Sequence, residues 1–275
     1  MAFDITLGQY IPGDSFVHNL DPRTKLIIAI ALIVVLFLVN TFVGYFWIAL
    51  FLLLATINGS ISARSVVRSI KPLTFILLLT VILNILFTEG DILFQLGFIR
   101  ITEQGVFRGL LLGLRLILLI LSTTIMTLTT SPLAITDALE NLLGPLKKIK
   151  FPVHELSMML TIALRFIPTL LEETDKIMKA QMARGADFES GGILKRAKGL
   201  VPLLVPLFVS AFRRANDLAM AMEARCYRGG EGRTKMKPLR YAGRDMIAYF
   251  ILLLYFAGII FISIYEKYFP YFDFI

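Results

Sequence analysis

Apolar runs of membrane-spanning length set the terms on which this chain folds. No charged side chain occurs from Ile27 to Ile57, and further apolar runs cover Leu73–Phe87, Val106–Leu128 and Met246–Tyr265. A helix needs roughly 20 mostly apolar residues to cross a bilayer core. The first stretch is therefore read as two spans, Ile27–Phe42 and Phe46–Ile57, with Asn40-Thr41 and Gly44 at the turn. Hydrophobic residues make up 57% of the 275 and mean hydropathy is +0.76. Soluble domains are about 45–50% apolar, so much of this surface faces lipid. The expected fold class is an all-α polytopic membrane protein with about five transmembrane helices.

The net charge of +8 is distributed as an orientation signal. Lys and Arg collect in cytoplasmic loops. Arg23 and Lys25 precede the first span, and Arg64, Arg68 and Lys71 precede the third. Glu89, Asp91 and Glu103 mark the loop after it as external. Lys147, Lys148, Lys150 and the run Arg233, Lys235, Lys237, Arg240 and Arg244 restore the positive sign. The expected topology places the N-terminus inside and the C-terminus outside. The first span serves as its own insertion signal, because Asp4 and Asp14 precede it where a basic leader would be needed. No aromatic-basic module points to nucleic acid.

Between the fourth and last spans, charge interrupts the hydrophobicity. The chain divides into 1–130 (an N-terminal loop and four spans), 131–242 (a cytoplasmic insert of about three helices) and 243–275 (the last span). In the loop, Asp21 is placed to cap a helix whose first residue is Pro22. In the insert, Ser131-Pro132 opens a helix that closes near Gly144-Pro145. Two long helices are expected over about Val153–Arg184 and Ile193–Arg225, separated at Ser190-Gly191-Gly192 and each ~45–50 Å long. Charges such as Glu172, Glu173, Arg213 and Arg214 argue against their spanning the membrane. Their apolar faces, including Leu160, Phe166, Leu171, Leu204, Phe208 and Phe212, suit a membrane interface or another membrane protein. Pro168, Pro202 and Pro206 should kink them. If the helices cross near their midpoints, Glu172-Glu173 would meet Arg213-Arg214.

Both long helices end alike, in Ala183-Arg184-Gly185 and Ala224-Arg225-Cys226, 41 residues apart. At that offset Asp175 matches Asn216, Ile177 matches Leu218 and Ala180 matches Ala221. A guanidinium is a planar, permanently charged donor fork suited to carboxylates and carbonyls in a partner's groove, and the small neighbours allow close approach. The plainer reading is an arginine satisfying its own helix's last carbonyls. Met158, Met159, Met178, Met182, Met220 and Met222 form either core filler or a re-packable binding face.

Other chemistry is thinly represented. His18 and His154 lack partners at metal-ligand spacing, and the single cysteine, Cys226, excludes an internal disulfide. Carboxylates are missing from the first four spans, against a proton-coupled transporter. Arg108 and Arg115, at the fourth span, read as snorkelling or helix-pairing residues. No phosphate-cradling Gly-x-x-x-x-Gly-Lys-Ser/Thr loop is present. A self-contained channel or secondary transporter stays open as an alternative, and a membrane enzyme as a third.

The loop Tyr10-Ile11-Pro12-Gly13-Asp14-Ser15, then Leu20-Asp21-Pro22-Arg23-Thr24-Lys25, together with the two Ala-Arg motifs, resembles the transmembrane T component of energy-coupling factor transporters. The resemblance covers essentially the whole chain and departs from the motif at Cys226, where glycine stands in the first copy. It implies a non-catalytic coupling subunit in an ATP-driven importer of vitamins or other micronutrients in a prokaryotic cell membrane. The insert would be a coupling domain of long crossed helices, each arginine seated in a groove on one of two ABC-type ATPase subunits. Those subunits, not this chain, would bind ATP and Mg. A membrane-embedded substrate-binding S component would dock on the methionine-bearing helices.

Overall fold

The computed structural model describes residues 10–96, 99–186, 188, 192–230, 236 and 238–268. Asp4, Ser190-Gly191, Arg233, Lys235 and Lys237 lie outside the described residues. These divide into two compact units, one within Leu139–Pro238 and one within Gly8–Ala138 and Leu239–Ile275.

The second unit is built on four helices: α1 (Pro22–Leu38), α2 (Phe42–Asn58), α5 (Glu103–Thr129) and α9 (Gly243–Tyr268). Asp21 caps α1 as expected, accepting from the Arg23 backbone N–H at 2.9 Å, with Pro22 at the first position. Leu32, Leu36, Tyr45, Ile48, Leu118, Ile125 and Tyr255 form the core where these helices meet. Phe37, Phe46, Phe250 and Phe261 are exposed on the outer surface. A short amphipathic α3 (Ala63–Ile70) leads through a 3-10 turn into α4 (Thr74–Phe87). α4 packs on α5 across Gly105 and Gly109, whose missing side chains let backbone approach backbone, and across Gly113, which makes room for the Val81 side chain. A Cβ on Gly109 would sit 3.1 Å from the Val81 carbonyl, and one on Gly105 would sit 3.1 Å from that of Ile85. Small residues spaced by four are a common membrane helix–helix seam. Between α4 and α5 the chain forms an antiparallel hairpin, β1 (Ile92–Leu96) with β2 (Ile99–Thr102), where the sequence reading expected an acidic loop.

The expected spans differ in two respects. Among the described residues, four helical segments are long and apolar enough to cross a membrane: Ala63–Phe87, Glu103–Thr129, Val153–Ala183 and Gly243–Ile262. The α1 and α2 helices, at 17 residues each, rise only about 25 Å. Conversely, Val153–Ala183 qualifies because its charges concentrate in its second half.

The other unit holds two long helices, α7 (Val153–Ala183) and α8 (Ile193–Ala224), after α6 (Pro132–Leu142), which begins before it, and a 3-10 segment, Gly144–Ile149. Helix continues through Pro168 in α7 and through Pro202 and Pro206 in α8.

Three segments of the four-helix unit are tied at one end by buried charge. Lys25, 6% exposed, donates from Nζ to the His18 carbonyl at 3.0 Å and to the Thr129 carbonyl at 2.8 Å. Asp245, 1% exposed, accepts from the Asp21 backbone N–H and the Ala242 backbone N–H, each at 2.8 Å. Arg23 forks onto Asp21 at 2.8 Å and lies 3.9 Å over the Tyr241 ring. Burial pushes the Asp21 carboxyl up, but the Arg23 hydrogen bonds and the charges of Arg23 and Lys25 outweigh it and hold it below the ordinary aspartate value. Removing one partner of such a knot strands the rest. Asp245→Ala should lower stability by about 3 kcal/mol or more, and Asp245→Asn by less, because the amide oxygen still accepts. Thermal unfolding of the purified chain in detergent checks the order; equal melting of wild type and Asp245→Ala would remove the knot's role.

Candidate functional site

The two Ala-Arg helix ends share one backbone closure. At the end of α7, the Gly185 N–H reaches the Met182 carbonyl at 2.9 Å and the Ala186 N–H reaches that of Gln181 at 3.0 Å. At the end of α8, the Cys226 N–H reaches the Glu223 carbonyl at 2.8 Å and the Tyr227 N–H reaches that of Met222 at 3.0 Å. Both are Schellman closures, which need a left-handed residue just past the cap. Gly185 supplies it at φ +88° and Cys226 at φ +57°. The second motif's departure from glycine therefore keeps the geometry and carries the strain.

Because backbone N–H groups take up these last carbonyls, Arg184 and Arg225 are left over. Both are exposed, and neither guanidinium has a hydrogen bond or ion pair with a described residue. The plainer reading, an arginine folded onto its own helix end, does not describe them. Ala183, Gly185, Ala224 and Cys226 are exposed beside them.

The helices that carry the two ends cross at equivalent positions. Arg214 Nη2 donates to Glu173 Oε2 at 2.7 Å, and Ser210 donates to Oε1. Gln181 Nε2 reaches the Pro202 carbonyl at 3.4 Å. Moving forward along α7 thus means moving backward along α8, so the pair is antiparallel and crossed. Glu173 and Arg214 are themselves 41 residues apart, the offset that relates Arg184 to Arg225. The contact falls on a local pseudo-two-fold relation between the two helices, and each arginine stands about 16 Å along its own helix on opposite sides of it. Beyond Arg225 the chain returns to the start of α7: Gly230 lies against the His154 ring, where a Cβ would come within 2.5 Å. His154 donates from Nδ1 to Glu140 at 2.8 Å. Among the described residues no group of His, Cys, Asp and Glu side chains is placed to hold a metal.

The methionines do not share one environment. Met159, Met182 and Met220 are exposed; Met158, Met178 and Met222 are half-buried. A larger apolar surface lies along α8. Val201, Leu204, Val205, Phe208, Val209 and Phe212 are all exposed along α8, with Phe212 at 73%.

The Ser210 hydrogen bond and the Arg214 charge hold the Glu173 carboxyl below the ordinary glutamate value. With its folded value depressed, Glu173 lends stability above the normal glutamate range and loses it as pH falls through the folded value. A Glu173→Gln, Arg214→Met double-mutant cycle should show coupling of about 0.5–1 kcal/mol near neutral pH, small because Arg214 is partly solvated. Zero coupling would mean that packing alone sets the crossing. Backbone strain gives a second outcome: Gly185→Ala should destabilise the helix end by about 1 kcal/mol, and Cys226→Gly should stabilise its counterpart by a similar amount. Hydrogen exchange of the amides at 185–186 and 226–227 reads both.

The cobalt transport protein family (CbiQ) matches residues 13–236. The chain is also similar to several curated proteins, each named energy-coupling factor transporter transmembrane protein EcfT. It is 55% identical over 246 residues to that of Thermosediminibacter oceani, covering 90% of this chain and 93% of the relative. It is 50% identical over 260 residues to that of Ruminiclostridium cellulolyticum, covering 94% and 97%. It is 53% identical over 246 residues to that of Bacillus subtilis, covering 89% and 93%. The protein belongs to the EcfT family, the transmembrane component of energy-coupling factor transporters.

Proposed function

We propose that this chain is the coupling subunit of an ATP-driven importer, and that Arg184 and Arg225 each seat in a groove on one of two ABC-type ATPase subunits. One observation carries this reading. Two closures of the same geometry present two exposed guanidinium groups, without a side-chain partner among the described residues, on helices that cross at equivalent residues. A pair of pseudo-two-fold-related fingers suits a pair of similar motors. The segment 131–242 is then the cytoplasmic coupling domain, the N-terminus is on the same side, and the C-terminus is outside. ATP and Mg stay on the partner chains, and this chain carries out no chemistry of its own. Movement of the motors toward and away from each other acts on the fingers, and the rigid crossing passes it to the membrane.

A substrate-binding S component docks on the coupling helices. The exposed α8 face from Val201 to Phe212 supplies the apolar area, and Met159, Met182 and Met220 supply an adaptable margin, with Met158, Met178 and Met222 behind it. Flexible methionine surfaces re-pack against differing partners.

Co-purification of the ATPases and uptake in vesicles test the arginines together. Arg184→Ala or Arg225→Ala alone should weaken ATPase binding about tenfold, and the double variant about a hundredfold or more. Transport should be lost while membrane insertion stays normal. Wild-type uptake by the double variant would refute the assignment, and uptake by the purified chain alone in liposomes would restore the self-contained transporter.

A further inference from the structure

Arg115 lies near the middle of α5, about 18 Å from its Glu103 end and about 21 Å from its Thr129 end. Its guanidinium donates from Nε to the Tyr45 hydroxyl at 2.7 Å, and from Nη2 to the Val39 carbonyl at 3.1 Å and to Asn40 Oδ1 at 2.7 Å. The rings of Phe37 and Tyr45 lie 5.7 Å from it. All three acceptors are neutral, and no described carboxylate pairs with the charge. A guanidinium offers five N–H donors, so both hydrogens on Nη1 remain unspent. Asn40 is exposed, and its oxygen already accepts from Arg115, so its amide N–H groups are also free to donate.

The height of this cluster follows from contacts at the other end of the unit. Lys25 bonds to the Thr129 carbonyl, which sets α1 and α5 in register. From that level each helix climbs 14 residues, α1 to Val39 and α5 to Arg115, or about 21 Å. The turn between α1 and α2 therefore stops short of a hydrocarbon core of about 30 Å, while α4 and α5 continue past it. An uncompensated cation at that depth is costly, and a short hydrophobic segment draws the polar boundary of the bilayer toward itself. The first anionic groups it meets there are lipid phosphates, whose oxygens match a planar guanidinium. Phe37, Leu38, Phe42 and Val43 are exposed around the turn, Leu38 at 74%, and give acyl chains a surface to lie on.

We propose that Arg115 and Asn40 form a binding site for the phosphate of a membrane phospholipid at the α1–α2 turn. Arg115 contributes charge and its free Nη1 pair, Asn40 contributes an amide donor, and the apolar residues beside them select a lipid over a soluble anion. The site is separate from the Ala-Arg helix ends and does not depend on their role.

The full chain, purified in detergent and stripped of lipid, is titrated with phosphatidylglycerol while thermal unfolding is followed. The expected result is a saturable rise in melting temperature that diacylglycerol with the same chains does not reproduce, and that glycerol 3-phosphate does not reproduce either. Arg115→Gln should weaken the apparent lipid affinity about tenfold and Asn40→Ala about fivefold. Should Arg115→Gln not fold, Asn40→Ala and the three ligands on the wild-type chain decide. Equal stabilisation by diacylglycerol, full reproduction of the shift by glycerol 3-phosphate, or wild-type affinity in Asn40→Ala each overturns the proposal.

Discussion

A lysine held out of water where three distant segments meet is the constraint on which the four-helix unit rests. Lys25 satisfies two backbone carbonyls, one from the N-terminal loop and one from the end of α5. The carboxylates of Asp21 and Asp245 lie within Coulombic reach of its charge. Neither acid is idle: Asp21 caps α1 and Asp245 receives the Asp21 N–H. The arrangement joins backbone capping to charge compensation, so no buried ion is left alone, the condition under which buried charge is tolerated. Its structural consequence reaches 21 Å away. With α1 and α5 fixed in register at this level, the turn after α1 arrives beside Arg115 rather than above or below it.

The long-helix unit is organised by a different kind of tie. Glu173 is bound by Ser210 and Arg214 at a half-exposed crossing, where solvent screening limits what an ion pair contributes. Its value lies in position. Polar contacts at defined positions, Glu173 with Ser210 and Arg214 and Gln181 with the Pro202 carbonyl, limit how far each helix slides past the other. On the proposed reading, this matters more than strength: a lever passes on movement only if its arms cannot slip.

Much of this was legible in the sequence because it rests on local chemistry. Asp21-Pro22 announces the start of α1 through capping and a pre-set φ; Gly185 announces the stop of α7; and an apolar period broken by Glu172-Glu173 and Arg213-Arg214 places the crossing. Cys226 was harder, since nothing in a cysteine signals a left-handed backbone. Three further features are not carried by any such local signal. Gly105, Gly109 and Gly113 were visible as small residues at spacing four, a signal the span reading passed over. The β1–β2 hairpin is only nine to eleven residues of mixed polarity. The depth of Arg115 needs both the helix lengths and the Lys25–Thr129 bond, and no periodicity contains either.

The two helix ends, 41 residues apart, share arginine, alanine and closure, but only one has glycine at the left-handed position. A left-handed non-glycine residue costs roughly 1–2 kcal/mol, and that cost falls on the α8 end alone, which also packs back onto His154 through Gly230. At the α7 end, no described residue other than its chain neighbours lies within 4 Å of a Cβ placed on Gly185. The two helix ends therefore share a backbone shape but differ in backbone strain and in their described neighbours. On the proposed reading, partners that grip both would need the same groove for the guanidinium but would meet different flanks, Ala186 at one and Tyr227 at the other. On that reading, pseudo-symmetry of this kind would suit two motors that are alike in fold and free to differ in sequence.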